Sequence, residues 1–97
     1  MSVLDDEAIE RGLASLSGWS RRGNAIEKTY DCGDFDGSLA FVNAVAAAAN
    51  AADHHPDIGL AWNRVTLRLW SHDAGGITKR DLRLAAQIER IAPEHRK

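Results

Sequence analysis

The stretch Val65-Thr66-Leu67-Arg68-Leu69-Trp70 decides the fold of this chain. Its aliphatic side chains alternate with polar or bulkier ones, which is the period-2 pattern of a β-strand that buries one face. Immediately before it, Asn63-Arg64 predicts a turn and Ile58 to Trp62 a shorter strand, so the two strands form a hairpin. The hairpin follows His54-His55-Pro56, which ends the preceding helix because the residue before a proline is disfavoured in helical backbone angles.

Outward from this hairpin, pairs of strands alternate with single helices. On the N-terminal side the pattern predicts a helix from Asp5-Asp6-Glu7 to Gly18, strands Trp19 to Arg22 and Ala25 to Cys32 around a Gly23-Asn24 turn, and a helix from an N-cap at Asp36 to about Ala52. On the C-terminal side it predicts a turn at Gly75-Gly76, a helix from Thr78 to Ala92 and a polar tail after Pro93. The order α-β-β-α-β-β-α predicts an α+β fold, with three helices on one face of a four-stranded antiparallel sheet.

Composition restricts the broad class of protein. The 97 residues are enough for one domain, which we expect to span residues 1–97, and too few for two cores. A net charge of −2 with scattered basic residues gives no electrostatic reason to expect a nucleic-acid partner. The most apolar stretch, Ala44 to Ala52, contains Asn50 and is far shorter than a membrane span. One cysteine, Cys32, and a start without signal-peptide features favour a cytoplasmic location.

Three of the four histidines, His54, His55 and His72, lie close together in the sequence and suggest acid–base chemistry. Histidine is the side chain best suited to give and take a proton near neutral pH. A zinc site is the alternative for three histidines. Because the His-x-x-x-His ligand spacing is absent and no cysteine is nearby, we expect no metal. The fourth histidine, His95, falls in the polar tail and receives no role.

The segment around these histidines has a specific pattern. It contains, in order, His54-His55-Pro56, Trp62-Asn63-Arg64-Val65, Ser71-His72, Gly76-Ile77-Thr78 and Asp81. With this spacing, the chain from Asn50 to Asp81 resembles the signature of the pterin-4a-carbinolamine dehydratases, also called 4a-hydroxytetrahydrobiopterin dehydratases, and the likeness extends over nearly the whole chain. One position departs from the family pattern: four residues before the first histidine the family usually has an acidic residue, and this chain has Asn50.

The resemblance implies a hydro-lyase that dehydrates 4a-hydroxytetrahydropterin to a quinonoid dihydropterin, in the recycling of tetrahydrobiopterin or a related pterin. One group must protonate the departing hydroxyl, and another must take the proton from ring nitrogen N5. By resemblance the catalytic set is His54, His55 and His72, of which His54 and His72 transfer protons and His55 holds the pterin. Two imidazoles can do this without a metal or a cofactor, and which of them is the acid stays open.

Four further side chains are candidates for substrate contact: Trp62, Asp81, Ser71 and Trp19. Trp62 is the aromatic residue of the signature, and an aromatic wall suits a planar heterocycle. Asp81 has an alternative role, because Thr78 and Asp81 are three residues apart at a helix start, as in a capping box. Core packing is the alternative for both tryptophans.

We expect a small-molecule pterin as the substrate, no membrane contact, and a homo-oligomer, either a dimer or a tetramer. The second helix is more apolar around its circumference than one sheet can cover, and an open sheet leaves edges that can pair with another copy. The resemblance also implies a tetramer. The alternative function is a non-catalytic binding, dimerisation or assembly protein with the same fold. The three histidines favour the enzyme, since a scaffold has no physical need for them. Asn50, placed one turn before His54, is expected to make His54 a weaker base than a carboxylate there would.

Overall fold

The alternating stretch forms β4 (Arg64–Leu69), a central strand of the sheet. A computed structural model of the chain describes residues 2–92. Its other elements are α1 (Asp6–Ala14), β1 (Ser20–Arg22), β2 (Ala25–Asp31), α2 (Phe35–Ala52), β3 (Asp57–Ala61) and α3 (Lys79–Arg90). The strands form one antiparallel sheet in the order β1-β2-β4-β3. The predicted α+β fold, in the order α-β-β-α-β-β-α, is confirmed.

The two faces of the sheet differ sharply in polarity. Directly opposite residues on antiparallel strands share a face. Val65 therefore lies beside Tyr30 and Leu69 beside Ile26, and all four side chains are buried. The opposite face is polar and includes a 2.9 Å hydrogen bond between the hydroxyls of Thr29 and Thr66, together with the ion pair of Arg68 and Glu27. One face can thus accept helices while the other remains compatible with water.

The three helices bury their apolar stripes in a single core with this sheet face. Their buried contributions are Ile9 from α1, Phe41 and Val45 from α2, and Leu84, Ala85 and Ile88 from α3. Each large side chain buried in this way contributes roughly 1.5–3 kcal/mol relative to an exposed one. Among residues 2–92, no helix combines the length and the apolar character needed to cross a membrane.

Several element ends differ from those predicted. The N-cap of α2 is Asp34 rather than Asp36, because Asp34 has an extended backbone and its carboxylate accepts the N–H of Gly37 at 2.7 Å. The turn between β3 and β4 is Trp62-Asn63, since Arg64 already pairs with Ala61. α3 ends at Arg90, two residues before the predicted end. The predicted tail after Pro93, including His95, lies outside the described residues.

Glu89 attaches the last turn of α3 to the sheet. Its Oε2 accepts hydrogen bonds from Lys28 Nζ at 2.8 Å, from Trp19 Nε1 at 3.2 Å and from the Tyr30 hydroxyl. Burial alone raises the pKa of Glu89, but the hydrogen bonds from Lys28 and Tyr30, with the Lys28 charge, outweigh it and hold the pKa below its ordinary value. This charged cluster fixes the orientation of α3, whose other end carries Asp81.

Candidate active site

The end of α2 places two histidines at one edge of the fold. Asp53, the C-cap, takes the left-handed conformation with φ of +52°, and its N–H bonds back to the carbonyl groups of Ala49 and Asn50. Aspartate tolerates this conformation better than most residues, which lets it replace the usual glycine. The chain therefore turns sharply before Pro56, and His54 and His55 leave the helix in different directions.

His54 is held by Asp81 in a buried pair. Its Nε2 lies 2.5 Å from Asp81 Oδ1, and the two residues are 8% and 0% exposed. The second oxygen of Asp81, Oδ2, accepts the backbone N–H of Thr78 at 2.8 Å and the hydroxyl of Ser71 at 3.0 Å. The hydroxyls of Ser71 and Thr78 are 2.8 Å apart. Such a closed set of hydrogen bonds orients every member of the network, including the His54 ring.

Both roles considered for Asp81 therefore exist in one side chain. The capping box of α3 is formed. The Thr78 side chain accepts a hydrogen bond from the backbone N–H of Asp81, and the Asp81 side chain accepts one from the backbone N–H of Thr78. At the same time, the other oxygen of the same carboxylate, Oδ1, contacts His54. The start of α3 and the position of the imidazole are thus coupled through one carboxylate.

A tight turn after β4 presents the third histidine. Ser71 forms an isolated bridge with Gly76, and its carbonyl accepts the N–H of Gly75, which adopts a positive φ of +78°. β4 ends at Leu69, so His72 lies in the turn that follows Ser71. Its ring packs edge-on against Trp70, with ring centroids 4.0 Å apart.

These elements bring the three histidines to one pocket of about 270 Å³. Its lining residues are Asp53, His54, His55, Trp70, His72 and Asp73. His55 is exposed, and its Nε2 lies 2.9 Å from Oδ1 of Asn50. Asp73 accepts a hydrogen bond from Arg80 at 2.5 Å, and this partner holds the pKa of Asp73 below its ordinary value. The three histidines that lie close together in the sequence therefore line one pocket.

The chain is similar to known proteins over nearly its whole length. A family model described as pterin 4 alpha carbinolamine dehydratase matches residues 2–91. This chain belongs to the pterin-4a-carbinolamine dehydratase family. A protein of Roseiflexus castenholzii, provisionally named a pterin-4-alpha-carbinolamine dehydratase, is 51% identical over 90 residues, which cover 93% of this chain and 97% of that protein.

Two solved structures are similar to this family member. The crystal structure of a transcriptional coactivator/pterin dehydratase from Brucella melitensis superposes with a TM-score of 0.90 at 30% identity, over 94% of this chain and 99% of that one. A pterin dehydratase-like protein described as a RuBisCO assembly factor in the alpha-carboxysome has a TM-score of 0.63 at 20% identity, over 76% and 86% of the two chains. At that identity the second likeness concerns the fold alone.

Two candidate substrate contacts lie elsewhere in this dehydratase-family fold. Trp19 is 5% exposed and donates its indole N–H to Glu89, so it belongs to the core cluster of α3. Trp62 occupies the β3–β4 turn with φ of +54°, is 66% exposed, and stacks on Phe35 with centroids 6.2 Å apart. Neither tryptophan lines the histidine pocket. The contacts of Trp19 are therefore those of a core residue, which was the alternative to substrate contact.

Sequence reasoning also misplaced one contact and missed one residue. Asn50 contacts His55 and not His54, because the left-handed Asp53 carries His54 inward to Asp81 and leaves His55 beside the helix end. Trp70, which packs against His72, was not selected. The signal was present, since Trp70 alternates with the buried leucines and so points away from the core. Within residues 2–92, no group of three or more His, Cys, Asp or Glu side chains is arranged to hold a metal ion.

Proposed function

We propose that this protein dehydrates 4a-hydroxytetrahydropterin to quinonoid dihydropterin by histidine acid–base catalysis. The observation that carries the proposal is the convergence of His54, His55 and His72 on one pocket, with His54 oriented by the buried carboxylate of Asp81. Membership of the dehydratase family and the names of its relatives support the same reaction. The product needs only reduction to become a tetrahydropterin again, so the reaction belongs to the recycling of a tetrahydropterin.

The reaction requires two proton transfers and no change of redox state. A proton reaches the 4a-hydroxyl, the C4a–O bond breaks, and the hydroxyl leaves as water. The N5–H bond gives its electron pair to a new N5=C4a double bond, and its proton passes to a base. Positioned acid and base groups typically each accelerate such a step by roughly 10²–10⁴-fold.

The environments of the two histidines suggest how the roles divide. The carboxylate of Asp81 fixes the orientation of the His54 ring, which suits His54 to accept the N5 proton. His72 is exposed at the pocket rim beside Trp70, which suits it to exchange protons with water and to protonate the leaving hydroxyl. His55, with its Nε2 engaged by Asn50, holds the pterin ring. Ser71 and Asp81 are fully buried behind His54 and act as positioning residues.

The other candidate function is a non-catalytic assembly protein. It draws on the likeness to the RuBisCO assembly factor, which at 20% identity concerns the fold alone. The buried His54–Asp81 pair favours the enzyme, since a scaffold has no use for an oriented imidazole facing a pocket. A stopped assay of 4a-hydroxytetrahydropterin dehydration with the purified protein tests this. We expect dehydration faster than the spontaneous rate, and a rate equal to the spontaneous one overturns the proposal.

We further propose that the protein acts as a homo-oligomer, a dimer or a tetramer. Phe35 and Leu39 at the start of α2 are each 42% exposed, and Ile58 on β3 is 41% exposed. β3 is also an edge strand, with one side unpaired in the sheet of the described residues. Exposed apolar side chains beside an open strand edge are the features that a second copy of the chain can cover.

A further inference from the structure

A second pocket, of about 430 Å³, adjoins the histidine pocket at His54. It is formed between the end of α2 and the length of α3, and His54 lines both pockets. The ion pair of Arg80 and Asp73 also links them, because Arg80 lines the second pocket and Asp73 the first. The two pockets are therefore adjacent, with His54 and the Arg80–Asp73 pair shared between their linings.

Three arginines line the second pocket. Besides His54, its polar lining comes from Arg80, Arg83, Gln87 and Arg90, and no carboxylate is among the described residues that line it. These four positions follow the spacing i, i+3, i+7 and i+10, so they form one stripe along α3, about 15 Å long at 1.5 Å per residue. In a chain of net charge −2, three arginines on one stripe are a local concentration of positive charge.

The guanidinium groups of this stripe have unused donors. Among the described residues, Arg83 and Arg90 have no ion pair and no side-chain hydrogen bond. Arg80 is paired with Asp73 through Nη2, but its Nε is buried without a hydrogen-bond partner. A buried donor without a partner is costly, so this end of Arg80 has a hydrogen-bonding capacity that the described residues leave unused. Guanidinium groups bind phosphate and carboxylate in a bidentate manner, which makes them the side chains best suited to such a ligand.

We propose that this arginine-lined pocket binds an anionic substituent of the pterin, so that the preferred substrates carry a phosphate or carboxylate on the side chain of the ring. The proposal rests on the proposed function for the identity of the ring, and adds a substrate class to it. The second pocket then distinguishes pterins by the charge of their side chain, while the histidines perform the dehydration that all pterin carbinolamines share.

Equilibrium binding to the full-length protein tests the proposal, at constant ionic strength because salt screens such contacts. The probes are a stable dihydropterin with a neutral hydroxylated side chain, its phosphate ester, and an analogue with a carboxylate at the end of a side chain of similar length. We expect wild type to bind at least one anionic probe about tenfold more tightly than the neutral one. A comparison of the phosphate and carboxylate probes shows which oxyanion the second pocket binds more tightly.

The decisive variant is Arg83→Gln/Arg90→Gln, in which two exposed guanidinium groups are replaced by neutral side chains that α3 tolerates. We expect the ratio of anionic to neutral affinity to fall to about one. The control is Arg11→Gln/Arg64→Gln, which removes the same charge from α1 and from the open sheet face and should keep the ratio. Equal affinities in wild type, or a preference that survives in Arg83→Gln/Arg90→Gln, overturn the proposal. The dehydration assay with the neutral carbinolamine reports separately on the proposed function.

Discussion

Asp81 Oδ1 lies 2.5 Å from Nε2 of His54, while the other oxygen of the same carboxylate caps the helix on which Asp81 stands. A catalytic candidate is therefore oriented by a group whose own position is set by the first turn of α3. Neither function of the carboxylate can be changed without a risk to the other, because both oxygens are engaged. Variants that separate the two functions are the most informative ones at this site.

Asp81→Asn should separate orientation of His54 from the fold. We expect turnover to fall by roughly 10²-fold, because the imidazole loses the carboxylate that sets its tautomer and its orientation. The free energy of unfolding should fall by about 1–3 kcal/mol, since a buried acceptor is replaced by an amide. Thr78→Ala is the control, as it removes the cap hydroxyl and its bond to Ser71, at about 1 kcal/mol, but leaves the direct contact between Asp81 and His54. If Thr78→Ala loses as much turnover as Asp81→Asn, Asp81 acts only as a helix cap.

His72→Gln and His55→Gln should have different kinetic effects. We expect His72→Gln to lower kcat by roughly 10²–10⁴-fold, because it removes a proton-transfer group. His55→Gln should mainly raise KM, because His55 is proposed to hold the ring. Both residues are exposed, so the free energy of unfolding should change by less than about 0.5 kcal/mol in each variant. Full kcat in His72→Gln is the result that removes His72 from the mechanism.

Asn50→Glu should change the pH dependence through His55. A carboxylate at this position favours the charged form of the neighbouring imidazole, whereas the amide of Asn50 can only hydrogen-bond to it. Because His55 is proposed to hold the ring, we therefore expect the pH profile of kcat/KM for Asn50→Glu to move to higher pH relative to wild type. Asn50→Gln is the control, since it has the length of glutamate without the charge. Superimposable profiles for all three proteins mean that residue 50 has no part in tuning the site.

Glu89→Gln should reveal a stability difference that depends on pH. The folded protein holds the pKa of Glu89 below its ordinary value of 4.5, so the ionised carboxylate stabilises the fold fully above that pH and the contribution is lost as pH falls through the folded pKa. We expect Glu89→Gln to be less stable than wild type by about 1–3 kcal/mol near neutral pH, because Lys28 loses its charged partner. Urea unfolding at several pH values should show this difference shrinking below the ordinary pKa. The exposed Glu10→Gln serves as the control, and a difference that does not vary with pH contradicts the assignment.

Leu39→Glu should weaken self-association. The side chain is 42% exposed on α2, so the monomer fold should tolerate the change, while a charge in an apolar interface is strongly unfavourable. Light scattering at micromolar concentration should give a dimer or tetramer mass for wild type and a smaller mass for Leu39→Glu. Ala14→Glu, at the exposed end of α1, should behave like wild type. A monomer mass for wild type refutes the proposed oligomer.

Two features of the fold, β4 and the N-cap of α2, show what the local sequence pattern can and cannot predict. The period-2 alternation of Val65, Leu67 and Leu69 was sufficient to identify β4 and its buried face, because strand geometry alone sends alternate side chains to opposite faces. The choice of Asp34 rather than Asp36 as an N-cap was not recoverable in the same way. Both are aspartates with suitable neighbours, and the selection depends on which backbone is extended when α2 packs on the sheet.

The sequence by itself determined the element order, the open and covered faces of the sheet, and the three histidines, since each of these follows from side-chain type and local periodicity. Only the tertiary structure decided which contacts those histidines make. His54 meets Asp81 across 27 positions of sequence, and a single left-handed residue, Asp53, directs His54 inward and leaves His55 to Asn50. Contacts between distant elements depend on how helices and strands pack together, and a one-residue change in a turn redirects every side chain that follows it.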